Sequence, residues 1–257
     1  MPRRLRRALL GAAAVPVVAL AVLAAEVQMA RRGPDLADDT PLDHDGHLSG
    51  AGEPLRMLWL GDSTAAGSGA SAPGKAIPRR VAEGLDRSIE LSVLAESGDR
   101  ISDVIADQLP KVATMQPDVV LVSIGANDVI HLTSKDTFRS RYQRLVQALP
   151  DGVRLVVLGV PDMGAPPRFA QPLRAVTGWR GRVLEGVARS VARDAGAVYV
   201  DIAGETGPVM RGDTGRYFAE DHYHPSDDGY GLWADAVLDE LRPALTSPTE
   251  GVLHGDR

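Results

Sequence analysis

Five short apolar runs, each separated from the next by a longer segment of helical character, constrain most how this chain can fold. Runs such as VVLVSI at 119–124 are apolar on both faces, as parallel strands covered by helices on each side must be. The pattern therefore predicts an α/β fold, a three-layer α/β/α sandwich built on about five parallel strands. The predicted strands lie at about residues 55–60, 89–95, 118–124, 153–160 and 197–202. The predicted helices lie at about residues 75–86, 101–114, 136–149, 172–195 and 227–242.

The rest of the chain is organised around a single predicted domain. A chain of 257 residues can bury one sizeable core, which we place at residues 54–243. Residues 31–53 are rich in Gly, Pro and Asp and nearly lack large apolar side chains, which is typical of a flexible linker. The DHDGH stretch at 43–47 is an alternative metal site, although a linker lacks the outer groups that orient metal ligands. Residues 244–257 are interpreted as a disordered tail.

The first 30 residues have the layout of an export signal or a membrane anchor. Four arginines are followed by an uncharged run from Ala8 to Ala25, which is close to the shortest helix that crosses a bilayer. Val22-Leu23-Ala24 offers a small-residue cleavage site, but the run is longer than a usual signal-peptide core, which favours an uncleaved anchor. Both interpretations place the rest of the chain outside the cytoplasmic membrane, with the N-terminal segment as its membrane contact.

The net charge limits the classes of partner that the chain can bind, and the cysteine content limits how its domain can be stabilised. Beyond residue 33 the chain carries 22 Lys and Arg against 33 Asp and Glu, so this body has a net charge of −11 and repels phosphate backbones. Nucleic acid is therefore not an expected partner. The chain has no cysteine, so its exported domain would depend on its hydrophobic core for stability.

Residues that could take part in catalysis follow the predicted strands directly. In open parallel sheets, ligands bind beyond the carboxyl ends of the strands, and GDST, ESGDR and GAND each occupy such a position. In the common flavodoxin-like strand order, the loops carrying Gly98 and Asn127 would border Ser63 on both sides. Ser63 could then attack an acyl carbon, while its own N–H, the Gly98 N–H and the Asn127 amide receive the oxyanion. We expect Asp62 and Asp128 to hold their own turns.

Asp221 and His224 lie three residues apart before the last predicted helix. This spacing lets the carboxylate orient the imidazole, Pro225 fixes the turn, and Ser226 suits a helix start. His222 is an alternative base or, with His224, a metal-binding pair without a clear third ligand.

These blocks resemble those of the SGNH (GDSL-type) hydrolases. The match comprises GDS at 61–63, Gly98, GAND at 125–128 and D-x-x-H at 221–224, in the order of the family. LGDSTAAG, PDMG and HPS followed by GY are more similar to exported or membrane-tethered actinobacterial members. Family members often carry asparagine before the glycine, where this chain has Glu96-Ser97.

The resemblance implies Ser63 as the nucleophile, His224 as the general base and Asp221 as its orienting acid. It also implies Ser63, Gly98 and Asn127 as oxyanion donors, with no metal or cofactor. The α/β-hydrolase elbow G-x-S-x-G is a rival, but that fold places several strands before its serine.

We therefore predict an exported serine esterase that hydrolyses acyl or acetyl esters of lipids or glycans. The alternatives are an acyltransferase acting on a cell-envelope glycan and a binding module of the same fold without catalysis. The Pro-rich loop at 161–178, with Met163, Phe169 and Trp179, is a candidate wall of the acyl pocket.

Overall fold

A six-stranded sheet forms the centre of the protein. The structure is a computed structural model, and it describes residues 18–37 and 40–246. The strands, in chain order, are β1 (Gly46–Leu48), β2 (Ala51–Gly61), β3 (Arg87–Val93), β4 (Val119–Ser123), β5 (Arg154–Leu158) and β6 (Val198–Val200). Their order across the sheet is β1-β3-β2-β4-β5-β6, and all neighbours are parallel except β1 and β3. The five parallel strands therefore have the flavodoxin-like order that the sequence predicts.

Helices cover both faces of the sheet. Residues 18–31 form helix α1, and α2 is Ile77–Gly84. Helix α3 combines Ile101–Asp103, a π turn at Val104–Gln108 and Leu109–Met115. The others are α4 (Ala126–Ile130), α5 (Lys135–Gln147), α6 (Leu173–Asp194), α7 (Ile202–Gly212), α8 (Thr214–Tyr217) and α9 (Asp227–Thr246). Three of these, α4, α7 and α8, are not predicted from the sequence.

The strands bury alternate residues on opposite faces, as the period of two requires. Leu58 and Leu60 of β2 pack on one side of the sheet, in a cluster that includes residues of α3, α5 and α6. Met57 and Trp59 pack on the other side, with residues of α2 and α9. The predicted three-layer α/β/α sandwich is thereby confirmed.

The sheet gains its sixth strand from the stretch predicted to be a linker. Gly46–Leu48 pairs antiparallel with β3 at the sheet edge, and residues 51–53 begin β2. His44 is buried, and its Nε2 lies 2.9 Å from the carbonyl oxygen of Ala66. Pairing with a distant strand leaves little local signal in a polar, Gly-rich segment, so the sequence pattern did not predict it.

At each end of the chain, part of a segment predicted to lie outside the domain is helical in the structure. Leu23, Val27 and Ala30 of α1 pack against the core, although the sequence favours an export signal or anchor here. Within the described residues, no helix combines the length and the apolar character that a membrane span needs. Residues 244–246 continue α9, while residues 1–17 and 247–257 lie outside the described part of the chain.

Candidate active site

Ser63 follows the central strand β2 through a turn that only glycine can make. Gly61 has a φ of +153°, and a Cβ on it would lie 2.0 Å from the carbonyl oxygen of Ser123. The Asp62 N–H then donates to the same Ser123 oxygen over 3.1 Å. This close approach of β2 and β4 places Ser63 at the carboxyl edge of the sheet.

Asp62 holds the turn that carries Ser63, as the sequence predicts. Its Oδ1 accepts hydrogen bonds from the N–H of Thr64 at 3.0 Å and from the Thr64 hydroxyl at 2.8 Å. Burial raises the pKa of Asp62 to about 6, although the bonds from Thr64 and the charge of His224 favour its ionised form. A buried carboxyl group with a pKa near neutrality thus lies beside the candidate nucleophile.

Asp221 and His224 share one tight turn. His222, between them, has a φ of +59°, and Asp221 Oδ1 accepts bonds from the N–H groups of Tyr223 at 2.9 Å and His224 at 3.0 Å. The other carboxylate oxygen, Oδ2, lies 2.7 Å from His224 Nδ1. A spacing of three residues therefore brings the carboxylate and the imidazole together within one local turn.

His224 connects Asp221 to Ser63. His224 Nε2 lies 3.0 Å from Ser63 Oγ, across 161 residues of sequence. Burial alone would raise the pKa of Asp221, but the bond and charge of His224 and two backbone N–H groups hold it below its usual value. Because an ionised Asp221 accepts from Nδ1–H, Nε2 is left free to take the Ser63 proton. Structurally, these three predicted residues form one hydrogen-bonded chain.

The imidazole is also fixed by packing. The ring of Tyr223 meets that of His224 edge to face at 4.9 Å, and it meets Phe169 in the same way at 5.7 Å. The His224 carbonyl accepts from the Ala219 N–H at 2.8 Å. Tyr223 could not be predicted as a site residue, because a lone tyrosine beside a histidine has no characteristic spacing.

Asn127 and Asp128 connect the loops on either side of Ser63. Asn127 Nδ2 donates to the Asp99 carbonyl over 3.0 Å. Asp128 Oδ2 accepts from the N–H of Ile101, the first residue of α3, over 3.0 Å. The expectation that Asp128 holds its own turn is therefore incomplete, since its carboxylate caps the helix of the neighbouring loop.

Gln108 is a buried residue at the site that sequence reasoning missed. Its Oε1 accepts from the Gly61 N–H at 2.9 Å, and its Nε2 donates to the Gly61 carbonyl at 2.8 Å. Nε2 also lies 2.7 Å from Asp99 Oδ2. Gln108 ends the π turn within α3, and it ties the end of β2 to the loop that carries Gly98. Nothing in the sequence distinguishes it from a glutamine on a helix surface.

The remaining predicted site residues occupy distinct positions. Gly98 lies in a turn closed by a bond from the Asp99 N–H to the Glu96 carbonyl, with a φ of +90°. Its role as an oxyanion donor stays a prediction. His222 has its N–H bonded to Ala219, while the nitrogen close to Ser63 Oγ belongs to His224. In the described ranges, no three His, Cys, Asp or Glu side chains are grouped as metal ligands.

Two cavities meet His224. One, of about 30 Å³, is lined by Ser63, Met163 and Tyr223 among others. The second is an apolar groove of about 640 Å³, which His224, Asn127 and Phe169 help to line. Two of the three predicted wall residues, Met163 and Phe169, thus line cavities at the site. Trp179 is 59% exposed and lines neither cavity, because it lies on the solvent face of α6.

Solved structures share this fold. The lipase/acylhydrolase of Enterococcus faecalis has a TM-score of 0.61 and 20% identity, and the match covers 74% of this chain and 96% of that one. Phospholipase A1 of Streptomyces albidoflavus has a TM-score of 0.58 and 21% identity, over 73% of this chain and all of the other. The acetylxylan esterase of Geobacillus stearothermophilus, in a catalytic mutant, has a TM-score of 0.58 and 20% identity, over 76% and 95%.

Sequence similarity establishes the family. A curated GDSL-like esterase of Mycobacterium tuberculosis is 31% identical over 278 aligned positions, which cover 99% of this chain and 88% of the relative. Residues 59–232 match the GDSL-like lipase/acylhydrolase family, and this range includes all five residues predicted for the site. The resemblance deduced from the four motifs is confirmed. The chain therefore belongs to the GDSL-like lipase/acylhydrolase family and is an ester-hydrolysing enzyme.

Proposed function

We propose that this esterase acts through a covalent acyl-serine formed on Ser63. The observation that carries the proposal is the hydrogen-bonded chain from Ser63 Oγ through His224 to Asp221, with steps of 3.0 and 2.7 Å. A serine hydroxyl becomes a nucleophile only when a positioned base takes its proton. Asp221 is 3% exposed and ionised, so it fixes the tautomer of His224 and stabilises the imidazolium that forms.

The reaction proceeds in two displacements. Ser63 Oγ forms a bond to the acyl carbon while its proton moves to His224 Nε2. The ester bond then breaks, and the alcohol leaves with that proton. Water attacks the acyl-serine, His224 takes a proton from it, and the acid departs as the proton returns to Ser63. The net reaction consumes one water and releases one acid and one alcohol.

The developing oxyanion needs donors that are in place before the reaction. We assign the N–H groups of Ser63 and Gly98 and the amide of Asn127 to this role. One N–H of Asn127 already donates to the Asp99 carbonyl, so its side chain is held in orientation and its second N–H is available. Each such donor is worth about a hundredfold or more in turnover.

Ser63→Ala tests the proposal directly. Hydrolysis of p-nitrophenyl acetate should fall by several orders of magnitude, and labelling by a fluorophosphonate probe should disappear. Ser140→Ala is the matched control, because Ser140 lies on α5 and its hydroxyl donates only to the Thr137 carbonyl. If Ser63→Ala retained the activity of Ser140→Ala, the acyl-serine mechanism would be refuted.

We also propose that the enzyme is exported and acts on esters of lipids or glycans. The four N-terminal arginines and the uncharged run to Ala25 support export. The similar folds of a phospholipase and an acetylxylan esterase support the substrate class. Fractionation of cells producing the full chain tests export, and recovery of the protein in the cytosol would contradict it.

A further inference from the structure

The apolar groove beside His224 is built partly from the N-terminal helix α1. Leu23, Val27 and Ala30 of α1 line it on one side. Apolar residues of α4, the turn after it and α6 also line it, among them Ile130, Leu132, Leu173 and Val176. One end of the groove reaches His224 and Asn127, which we place at the reacting carbonyl group.

Helix α1 presents one specific face to the groove. Its inward residues, Leu23, Val27 and Ala30, are spaced four and three positions apart, which puts them on one face of a helix. Val22 and Met29 lie on another face and are 43% and 66% exposed. The contact is therefore directional, although the sequence of α1 up to Ala25 is uniformly uncharged.

The buried side chain of Glu26 connects α1 to α6, which forms part of the groove. Glu26, 8% exposed, accepts a hydrogen bond at 2.6 Å on Oε2 from the N–H of Leu173. Leu173 begins α6, so this N–H has no partner within its own helix. The carboxylate also lies at the positive end of the α6 dipole. Glu26 thus caps α6 from a position 147 residues earlier in the chain.

Arg168 ties the end of α1 to the turn that carries Asp221. Its Nε donates to the Ala30 carbonyl at 2.7 Å, and its Nη1 donates to the carbonyls of Pro34 at 2.6 Å and Asp221 at 3.1 Å. The Arg168 N–H donates to the His222 carbonyl at 3.0 Å. The groove wall and the catalytic turn are therefore held by the same guanidinium group.

We propose that this groove binds a hydrocarbon chain of the ester substrate, and that Val27 and Ala30, which follow the uncharged run that supports export, form a specificity-determining wall. The inference rests on the proposed function, because Ser63 and His224 fix where the ester group lies. The other cavity at Ser63, of about 30 Å³, holds no more than two or three water-sized groups. Of the two cavities that His224 lines, the 640 Å³ groove is the one with room for a chain longer than an acetyl group.

The chain could belong to the acyl or to the alcohol half of the ester, and two substrate series separate these sources. The first runs from p-nitrophenyl acetate to p-nitrophenyl decanoate, and the second from methyl acetate to decyl acetate. In the series that uses the groove, kcat/KM rises with chain length, by at most about fourfold for each buried methylene. If neither series depends on chain length, the groove is not a substrate site.

The proposed wall is tested by the substitution Val27→Trp in the full chain, because the larger side chain fills the groove. The ratio of kcat/KM for the ten-carbon substrate to that for the acetyl or methyl substrate should fall at least tenfold. Met29→Trp is the matched control, since Met29 lies on the exposed face of the same helix, and it should keep the wild-type ratio. An equal ratio in Val27→Trp and Met29→Trp would overturn the proposal.

Two further measurements keep the outcomes distinct. If Val27→Trp does not fold, Ala30→Leu, a smaller change in the same wall, must lower the ratio for the proposal to stand. The proposed mechanism fails separately, if Ser63→Ala still hydrolyses p-nitrophenyl acetate. If the wild type shows no chain-length effect while its acetate hydrolysis depends on Ser63, the groove proposal alone is rejected.

Discussion

Asp62→Asn should change how the stability of the protein depends on pH. Asp62 is 1% exposed, and burial raises its pKa from 3.8 to about 6. In the unfolded chain this carboxyl loses its proton near pH 4, whereas the folded chain keeps it until about pH 6. Folding therefore binds a proton in this interval, and the free energy of unfolding falls as pH rises through it.

The magnitude follows from the two pKa values. A shift of about 2 pH units corresponds to about 3 kcal/mol of stability, present below the unfolded pKa of 3.8 and lost above pH 6. About 2 kcal/mol of this loss falls between pH 4.5 and pH 8. Asparagine keeps the acceptor oxygen for Thr64 and does not titrate, so Asp62→Asn should gain about that amount relative to wild type over the same range.

Urea unfolding of both proteins at pH 4.5, 6 and 8 measures this difference. The pKa of Asp221 is lowered in the folded state, so Asp221 stabilises the fold above its usual pKa, and this stabilisation is lost on acidification. Because Asp221 is present in both proteins, its contribution cancels when their stabilities are compared. Thr64→Val provides a second variant, because removing the hydroxyl donor to Asp62 should make the wild-type trend steeper. A stability difference between wild type and Asp62→Asn that is the same at all three pH values would refute the reasoning.

Three further predictions concern single side chains. Asn127→Ala should lower kcat for p-nitrophenyl acetate by about 10²- to 10³-fold, and a loss below threefold would exclude it from the oxyanion site. Gln108→Leu leaves the buried N–H of Gly61 without its acceptor, while the Gly61 carbonyl keeps the Glu96 N–H at 3.3 Å, so urea unfolding should show a loss of about 1 to 3 kcal/mol. Glu26→Gln keeps an acceptor for Leu173 but removes the charge at the α6 terminus. Its thermal unfolding should show a loss of about 0.5 to 1 kcal/mol, and no loss would mean that the charge is not felt there.

The sheet and its polar edge could be predicted because their signals are local. A run such as Val119–Ser123, apolar at every position, has few structures available besides a strand buried on both faces. Once the strands are parallel, their carboxyl ends must meet at one edge, so the residues after β2 and β4 become neighbours. Asp221 and His224 were predictable for the same reason, since three residues of one turn bring them together.

Contacts between distant segments were not predictable from local pattern. Gly46–Leu48 is too short and too polar to suggest a strand, and it exists as one because the edge of β3 offers it hydrogen bonds. Gln108 is of a residue type common on helix surfaces, and the close packing of α3 on β2 brings its amide within hydrogen-bond distance of the Gly61 backbone. The domain start predicted at residue 54 likewise omits Glu26, whose partner lies at the start of α6.

By itself, then, the order of residues determined which side chains could carry acyl chemistry and the edge at which they would gather. That information lies in short-range hydropathy and turn preferences, which a single sequence displays. The tertiary structure decided the 3.0 Å approach of His224 to Ser63 and the use of α1 as a groove wall. Both depend on burial between segments more than a hundred residues apart, and such burial is a property of packed surfaces that no local pattern encodes.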